Sequence, residues 1–317
     1  MTDTQKGVVA IISACTIWGL SPLFYKALSD VPPLEVLAHR TVWSLVFFAA
    51  VLALQSRLSE LWYALSHWRI ARVIIFSSAM ISVNWFLFIW AIQVGRATES
   101  SLGYYIFPLV AVLIGRVWLG ERLAPMQWVA VGLAAVAVLA LTIGLQIVPW
   151  ISLVLATTFG LYGLAKKGLS LGPVASVTAE VMILTPLAVF WLASLHSNAG
   201  GGAFGADLVT TALLIAAGPM TAFPLILFSY GARRLAMATV GVAQYINPTL
   251  QFLCAVVIFG EPFGTVHAVA FALIWTALAI YSVSAFGQDK AWRKAAMVSE
   301  AEVVVPTKSS KDASAKP

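Results

Sequence analysis

The residues of this chain that could carry chemistry are polar side chains set inside strongly apolar stretches. Arg40 and Glu180 lie in two such stretches, and Asn84 with Trp85 lies in a third. A charge within a membrane-spanning helix costs about 2.5–3.5 kcal/mol on insertion scales, so it faces a cavity or a partner. We predict that Arg40 and Glu180 contact a substrate or a proton. The alternatives are that Arg40 snorkels to the outer interface and that Glu180 pairs locally. Asn84 and Trp85 are candidate cavity residues, with interhelical hydrogen bonding as the alternative for Asn84.

A second group of candidates belongs to an internal repeat, in which segment 104–121 recurs without a gap as segment 244–261. Its matched pairs include Tyr105 with Tyr245, Pro108 with Pro248, and Gly120 with Gly260. Each proline removes a backbone donor and is expected to kink its helix. Backbone freed in this way must be satisfied by neighbours or line a cavity. Both tyrosines lie one turn before their proline, so we predict that they face a cavity. An interfacial aromatic belt is the alternative.

The second copy of the repeat adds amide side chains to the same helix. Asn247 and Gln251 are four residues apart and therefore share one helical stripe. The first copy has Phe107 at the position equivalent to Asn247. We therefore predict a cavity that is more apolar on one side than on the other.

Membrane-spanning helices must position these residues, because 61% of the chain is hydrophobic and only 10% is charged. A soluble domain carries about 25% charged residues. A span needs about 20 apolar residues. The sequence predicts an all-α integral membrane protein with ten spans: 7–28, 36–54, 71–93, 102–119, 124–145, 149–165, 174–194, 209–230, 239–259 and 264–286.

The repeat predicts two five-helix halves, 1–146 and 147–286, followed by a disordered cytoplasmic tail at 287–317. Because each half holds an odd number of spans, the second half must insert in the opposite orientation. Inverted repeats are a recurring architecture of secondary transporters, with the substrate site at the repeat interface near the bilayer midplane. Small residues such as Gly132 in the fifth span are expected to allow close helix approach.

The basic residues predict the orientation of the chain. The ten-span arrangement places all of the 19 lysines and arginines on one side, except for Lys26, Arg40 and Arg96. Lysine and arginine accumulate in cytoplasmic loops, so both termini are predicted to be cytoplasmic. The basic residues of these loops account for the net charge of +6. Because the loops explain the charge, we expect no nucleic-acid partner. The basic start of the tail could contact anionic membrane lipid.

Several short segments carry a family resemblance: Trp18-Gly19 through Pro22, EVLAHRTVWS at 35–44, Asn84-Trp85, ESSLGYYIFP at 99–108 and the turn Gly120-Glu121-Arg122. Together they resemble the RarD group of EamA-type transporters, in the drug/metabolite transporter superfamily. The resemblance covers about residues 5–286. It implies a multi-pass protein of the bacterial inner membrane that exports small metabolites, with no defined substrate. The chain departs from the family pattern at Phe107, where an asparagine is usual before the proline.

Other functional classes are less well supported by the sequence. A membrane enzyme needs clustered catalytic groups, whereas the four histidines are scattered and no H-E-x-x-H or G-x-S-x-G string is present. We expect no catalytic residue, cofactor or metal, and the lack of a Walker-type loop argues against ATP drive by this chain. A passive facilitator or channel stays open as an alternative. The preferred interpretation is a secondary transporter of small amphiphilic solutes, with protons as the candidate coupling ion and the oligomeric state undetermined.

Overall fold

The computed structural model describes residues 1–120, 123–146, 148–167, 169–197, 201–235 and 237–304. Within these ranges the chain forms twelve α-helices and one π-helical turn, and no strand. The helices are α1 (Asp3–Lys26), α2 (Pro33–Leu54), α3 (Ser59–Ser66), α4 (Trp68–Gln93), α5 (Ala97–Leu119), α6 (Pro125–Leu145), α7 (Trp150–Lys167), α8 (Pro173–Ser197), α9 (Leu208–Ala232), α10 (Met237–Ala243), α11 (Ile246–Leu253) and α12 (Thr265–Val304), with the π-helical turn Cys254–Ile258 after α11.

Nine helical segments in the described ranges are long and apolar enough to cross a membrane. Eight of the ten predicted spans correspond to α1, α2, α4, α5, α6, α8, α9 and the first part of α12, and a ninth corresponds to the segment Thr239–Ile258. The remaining span, 149–165, corresponds to α7, which has only 18 residues and ends in two lysines. Helix α7 is not among the nine membrane-capable segments, but it packs against α4 and α5. The all-α membrane fold is confirmed, and the count of ten spans stays a prediction.

Proline and a capping carboxylate mark several helix starts. Pro33, Pro125 and Pro173 each open a helix, where the missing N–H would have no intrahelical partner. Asp207 caps α9, and its carboxylate accepts a hydrogen bond from the backbone nitrogen of Thr210 at 2.8 Å. These helix starts therefore follow from local sequence chemistry.

The repeated glycine ends equivalent helical segments in the same way. Gly120 has φ of 66° and Gly260 has φ of 67°. This left-handed conformation is strained for residues with a side chain, which explains why the glycine occurs in both copies.

The glutamate after Gly260 caps a helix of the first half. The Glu261 carboxylate accepts hydrogen bonds from the backbone nitrogens of Ala97, at 2.6 Å, and Thr98, at 2.7 Å. These two backbone N–H groups lie in the first turn of α5, where unpaired N–H groups and the helix dipole favour a negative charge. Glu261 therefore ties the two halves together. Its counterpart Glu121 and the adjacent Arg122 lie outside the described residues.

The packing partners of the helices recur between the two halves. Helix α1 lies against α9 and α11, as α7 lies against α4 and α5. Helices at equivalent places also meet each other: α2 packs on α8, α5 on α11, and α6 on α12. A pseudo-twofold relation between the halves would produce this pattern, and the inversion of the second half stays a prediction.

The helices that carry the repeated prolines differ between the halves. Helix α5 runs from Ala97 to Leu119 as one element with Pro108 inside it. In the second half the helix is interrupted at residues 244–245, and Pro248 lies in the first turn of α11. The π-helical turn then follows α11 directly. The sequence predicts two similar kinks, but the second copy has a helix break instead. The π-helical turn is a second irregularity in this copy, and such turns are frequent at functional sites.

Close helix approach on α6 occurs at a different glycine from the predicted one. A Cβ built on Gly132 would meet no atom within 4 Å in the described part of the chain. A Cβ built on Gly144 would lie 2.5 Å from Cγ1 of Val266 in α12. The prediction for Gly132 is therefore wrong, because its face of α6 points away from other helices.

The last helix is longer than the last predicted span. The described backbone of α12 stays helical to Val304, so it enters the segment 287–317 that the sequence predicts to be disordered. Residues 305–317 lie outside the described part of the chain.

Candidate functional site

A cavity of about 660 Å³ lies between the two halves of the bundle. Helices α1, α2, α4 and α5 line it from the first half, and α7 to α12 line it from the second. Its aromatic side chains include Trp18, Tyr25, Trp85, Tyr104, Phe159 and Tyr162. Ligand pockets of about 300–1,000 Å³ hold drug-sized molecules and are mostly apolar with a few placed polar groups. The cavity therefore has the size and composition to hold one small amphiphilic molecule.

Equivalent positions of the repeat line the cavity from both sides. The lining pairs include Trp18 with Phe159, Tyr104 with Gln244, Phe107 with Asn247, Pro108 with Pro248, and Ala111 with Gln251. At three of these pairs, the first half supplies an aromatic ring or a methyl group where the second supplies an amide. At these three pairs the first half is the more apolar, and the Phe107 ring packs on Phe159 with a centroid distance of 4.8 Å.

Arg40 brings a positive charge to the cavity wall. Its side chain is buried, and its Nε donates a hydrogen bond to Thr221 Oγ1 at 2.9 Å. The guanidinium carbon lies 4.0 Å from the ring centroid of Trp85 and 5.6 Å from that of Tyr25. No carboxylate among the described residues forms an ion pair with it. Arg40 therefore lines the cavity with Trp85 instead of snorkelling to the outer interface.

Asn84 also lines the cavity, and at the same time it joins α4 to α5 and α7. Its Nδ2 donates to the carbonyl oxygen of Leu155 at 2.9 Å and to Thr158 Oγ1 at 3.0 Å. Its Oδ1 accepts a hydrogen bond from the Tyr104 hydroxyl at 2.8 Å. The two roles considered for Asn84 are thus combined, and its amide is largely occupied by protein partners.

The two repeated tyrosines have different surroundings. Tyr245 lines the cavity. Tyr105 does not line it, because its hydroxyl shares a hydrogen bond with Thr249 Oγ1 at 2.7 Å and its ring meets the Phe271 ring edge-on at 5.8 Å. Tyr105 is therefore a contact between α5, α11 and α12, which corrects the expectation that it faces the cavity.

Tyr104 takes the cavity position in the first half, and helix periodicity explains why. Tyr104, Pro108 and Ala111 are spaced by four and three residues, so they share one face of α5, and all three line the cavity. Tyr105 is turned by one residue to the neighbouring face. The amide of Gln244, at the equivalent position of the second copy, is the sequence signal that could have identified Tyr104.

Asn247 and Gln251 form a linked pair of amides on the opposite wall. Gln251 Nε2 donates to Asn247 Oδ1 at 2.8 Å. Gln251 is buried, and its Oε1 has no hydrogen-bond partner among the described residues. Because a buried acceptor without a partner is costly, this oxygen is suited to accept a hydrogen bond from a bound molecule.

Glu180 is buried beside the cavity in a network of polar contacts. Its Oε1 lies 2.9 Å from Lys166 Nζ and accepts a hydrogen bond from Ser77 Oγ at 2.8 Å. Its Oε2 accepts from the Tyr162 hydroxyl at 3.1 Å, and Lys166 Nζ donates to the same hydroxyl at 2.6 Å. Among the described residues, Glu180 thus pairs locally, and its contact with the cavity lining is through Tyr162.

Sequence reasoning missed several members of the site. Lys166 lies in the last turn of α7, where a basic residue is typical of the edge of a cytoplasmic loop. Tyr162 lies four residues before Lys166 on the same helical face, and that spacing is the signal that could have found both. For Trp18 and Thr221 the sequence holds no comparable signal, because an isolated tryptophan or threonine is common in membrane helices.

Known proteins are similar in sequence to this chain over most of its length. The model of the EamA-like transporter family matches residues 5–143. "Uncharacterized transporter YojE" of Bacillus subtilis (strain 168) is 40% identical over 92% of this chain and 97% of its own length. "Protein RarD" of Escherichia coli (strain K12) is 38% identical, over 89% and 96%. "Chloramphenicol-sensitive protein RarD" of Pseudomonas aeruginosa is 32% identical, over 88% and 94%.

The fold also has a counterpart among solved structures. One crystal structure superposes with a TM-score of 0.59 over 87% of this chain and 96% of its own, at 19% sequence identity. At that identity the likeness concerns the fold alone. The sequence relatives carry the assignment further: this chain belongs to the EamA-like transporter family, among the relatives of RarD.

Proposed function

We propose that the protein is a secondary transporter of the bacterial inner membrane that exports small amphiphilic solutes by alternating access. The observation that supports this most directly is the cavity of about 660 Å³ that both halves line at equivalent positions. In inverted-repeat transporters the substrate site lies between the repeats, and the two halves rock around it. Some relatives, including the one from Bacillus subtilis, are named as uncharacterized transporters.

The lining of the cavity supports an amphiphilic or aromatic solute. Rings such as Trp18 and Phe159 offer apolar surface, whose burial is worth about 25 cal/mol per Å². The amides of Asn247 and Gln251 on α11 offer hydrogen bonds to the polar groups of such a solute. One relative is named "Chloramphenicol-sensitive protein RarD", and chloramphenicol, an aromatic compound with polar groups, is a suitable test solute.

The network around Glu180 supports coupling to protons. Lys166 Nζ lies 2.9 Å from Glu180 Oε1. A proton added to Glu180 would remove this charge attraction between α7 and α8. Tyr162 contacts both groups and lines the cavity. A change in protonation could thus be transmitted to the cavity wall.

Counterflow separates this proposal from a passive facilitator. We expect unlabelled chloramphenicol inside proteoliposomes to accelerate the uptake of labelled chloramphenicol, because a carrier returns faster when loaded. An open pore would show no such stimulation, and that result would contradict alternating access. Asn247→Ala should slow the exchange about tenfold through loss of a hydrogen bond in the cavity. Thr276→Ala, an exposed position on α12, should exchange like the wild type.

Cysteine labelling tests the proposed orientation in the membrane. The native cysteines Cys15 and Cys254 are buried, so single cysteines can be placed at Asp30 and Arg57. In intact cells an impermeant thiol reagent should label position 30 and not position 57, since the basic loops are expected in the cytoplasm. Permeabilised cells should label at both positions. Labelling of position 57 from outside would overturn the orientation.

A further inference from the structure

The bonding of Arg40 is incomplete within the protein. A guanidinium carries five N–H donors, and only the Nε–H of Arg40 has an acceptor among the described residues, Thr221 Oγ1 at 2.9 Å. The Nη groups have no hydrogen-bond partner there, although the side chain is only 7% exposed. Its flat face is covered by Trp85, at 4.0 Å from the ring centroid. The edge that carries the Nη groups is therefore left for another molecule.

The charged groups that the structure describes near Arg40 do not supply it with an anionic partner. Lys166, the other basic group next to the cavity, pairs with Glu180 at 2.9 Å. Glu35 lies on the same helix as Arg40 and is buried, but its Oε1 accepts a hydrogen bond from the backbone nitrogen of Ala203 at 2.6 Å. The protein thus uses its nearby carboxylates elsewhere and leaves a buried cation uncompensated, which costs several kcal/mol.

We propose that the solute itself supplies the missing charge, so that the cavity binds small aromatic or amphiphilic carboxylates. This deepens the proposed transport function and rests on it. The Nη edge of a guanidinium matches the two oxygens of a carboxylate. Trp85 and Thr221 hold the guanidinium in place, the former by a cation–π contact and the latter by the hydrogen bond to Nε. The aromatic lining then receives the apolar body of the solute.

Three probes that share an aromatic body and differ in their head group test this inference. Phenylacetate, phenylethanol and phenylethylamine carry a negative, a neutral and a positive head. Their binding to the purified full-length protein can be followed by tryptophan fluorescence, because Trp18 and Trp85 line the cavity. We expect phenylacetate to bind about tenfold more tightly than phenylethanol, as a charge-assisted pair should, and phenylethylamine to bind more weakly still. Equal affinities for the three in the wild-type protein would overturn the proposal.

Substitutions at Arg40 assign the preference to this side chain. Arg40→Gln should lose about tenfold in phenylacetate affinity and keep its phenylethanol affinity. Arg40→Lys should keep a weaker preference for the anion, because an ammonium group cannot bind a carboxylate in the bidentate manner. Arg57→Gln, in the loop after α2 where Arg57 pairs with Glu60, is the matched control and should bind like the wild type. A preference for phenylacetate that survives in Arg40→Gln would contradict the proposal.

The binding assay is independent of transport, so the two proposals can fail separately. Tight phenylacetate binding without counterflow of labelled phenylacetate in proteoliposomes would overturn the transport proposal and leave the anion site standing. Counterflow of chloramphenicol together with equal binding of the three probes would overturn the anion site alone.

Discussion

The Gly218→Ala protein should be about 3 kcal/mol less stable than the wild type, because added volume in a tight helix contact forces the backbone apart. A Cβ at this position would lie 2.6 Å from the carbonyl oxygen of Trp43 and 2.7 Å from its Cβ. The backbone of α2 cannot rotate out of the way as the end of a long side chain could. Helix α9 would have to move away from α2, and both helices line the cavity.

Gly132→Ala is the matched control for this substitution. It makes the same chemical change inside a helix, at a place where a Cβ meets no described atom within 4 Å. Helix propensity predicts a gain of up to about 1 kcal/mol from that change. The thermal stability of both variants can be measured as the fraction of protein that stays monodisperse in detergent after heating. Equal melting temperatures for the two would show that α2 and α9 do not need close contact at Gly218.

Glu180→Gln should cost about 3–5 kcal/mol of stability, since it leaves Lys166 as a buried charge without a counter-charge. The carboxylate is fully buried, and the Lys166 side chain is mostly so. Lys166→Met should be costly for the reciprocal reason. The double variant, in which both charges are removed, should be less destabilised than the sum of the single variants. Thermal unfolding of the four proteins in one detergent gives the interaction energy between the two positions.

The double variant also isolates the role of Glu180 in transport. It lacks the ionisable carboxylate without the unpaired charge that would otherwise distort the fold. We expect it to exchange solute across liposomes while uphill transport loses its dependence on the proton gradient. Full pH-driven accumulation in the double variant would remove Glu180 from the coupling mechanism. Additive single effects on stability would instead show that Glu180 and Lys166 do not act as a pair.

The helical fold could be predicted from the sequence because the bilayer leaves few alternatives. A buried backbone in lipid must satisfy its own hydrogen bonds, so long apolar segments become helices. The repeat also pairs Gly120 with Gly260, and both have the left-handed conformation in the structure. The break before α11 was not predictable in the same way, because Pro108 has the same spacing and lies in a continuous helix.

The side chains of the site were harder to predict, since one residue step turns a helix by about 100°. The repeat selected Tyr105, which packs against α11 and α12, instead of its neighbour Tyr104, which lines the cavity. The partner of Glu180 depends on how α7 meets α8, which hydropathy does not determine. Arg40 was identified because a charge is so costly in a span, but its lack of a carboxylate partner is visible only in three dimensions.

The unpaired charge of Arg40 has an electrical consequence for a cell with a negative interior. In the proposed transport cycle an empty cavity would move with one positive charge, whereas a cavity that holds a monoanion would move as a neutral unit. One elementary charge carried across the whole membrane is worth about 2.3 kcal/mol per 100 mV, and Arg40 would sense a fraction of that field. The resting voltage would then draw the empty form towards the cytoplasm, which is the side on which the proposed exporter would bind its solute. Transient currents on a supported membrane should accordingly come from the unloaded protein and fade as solute binds.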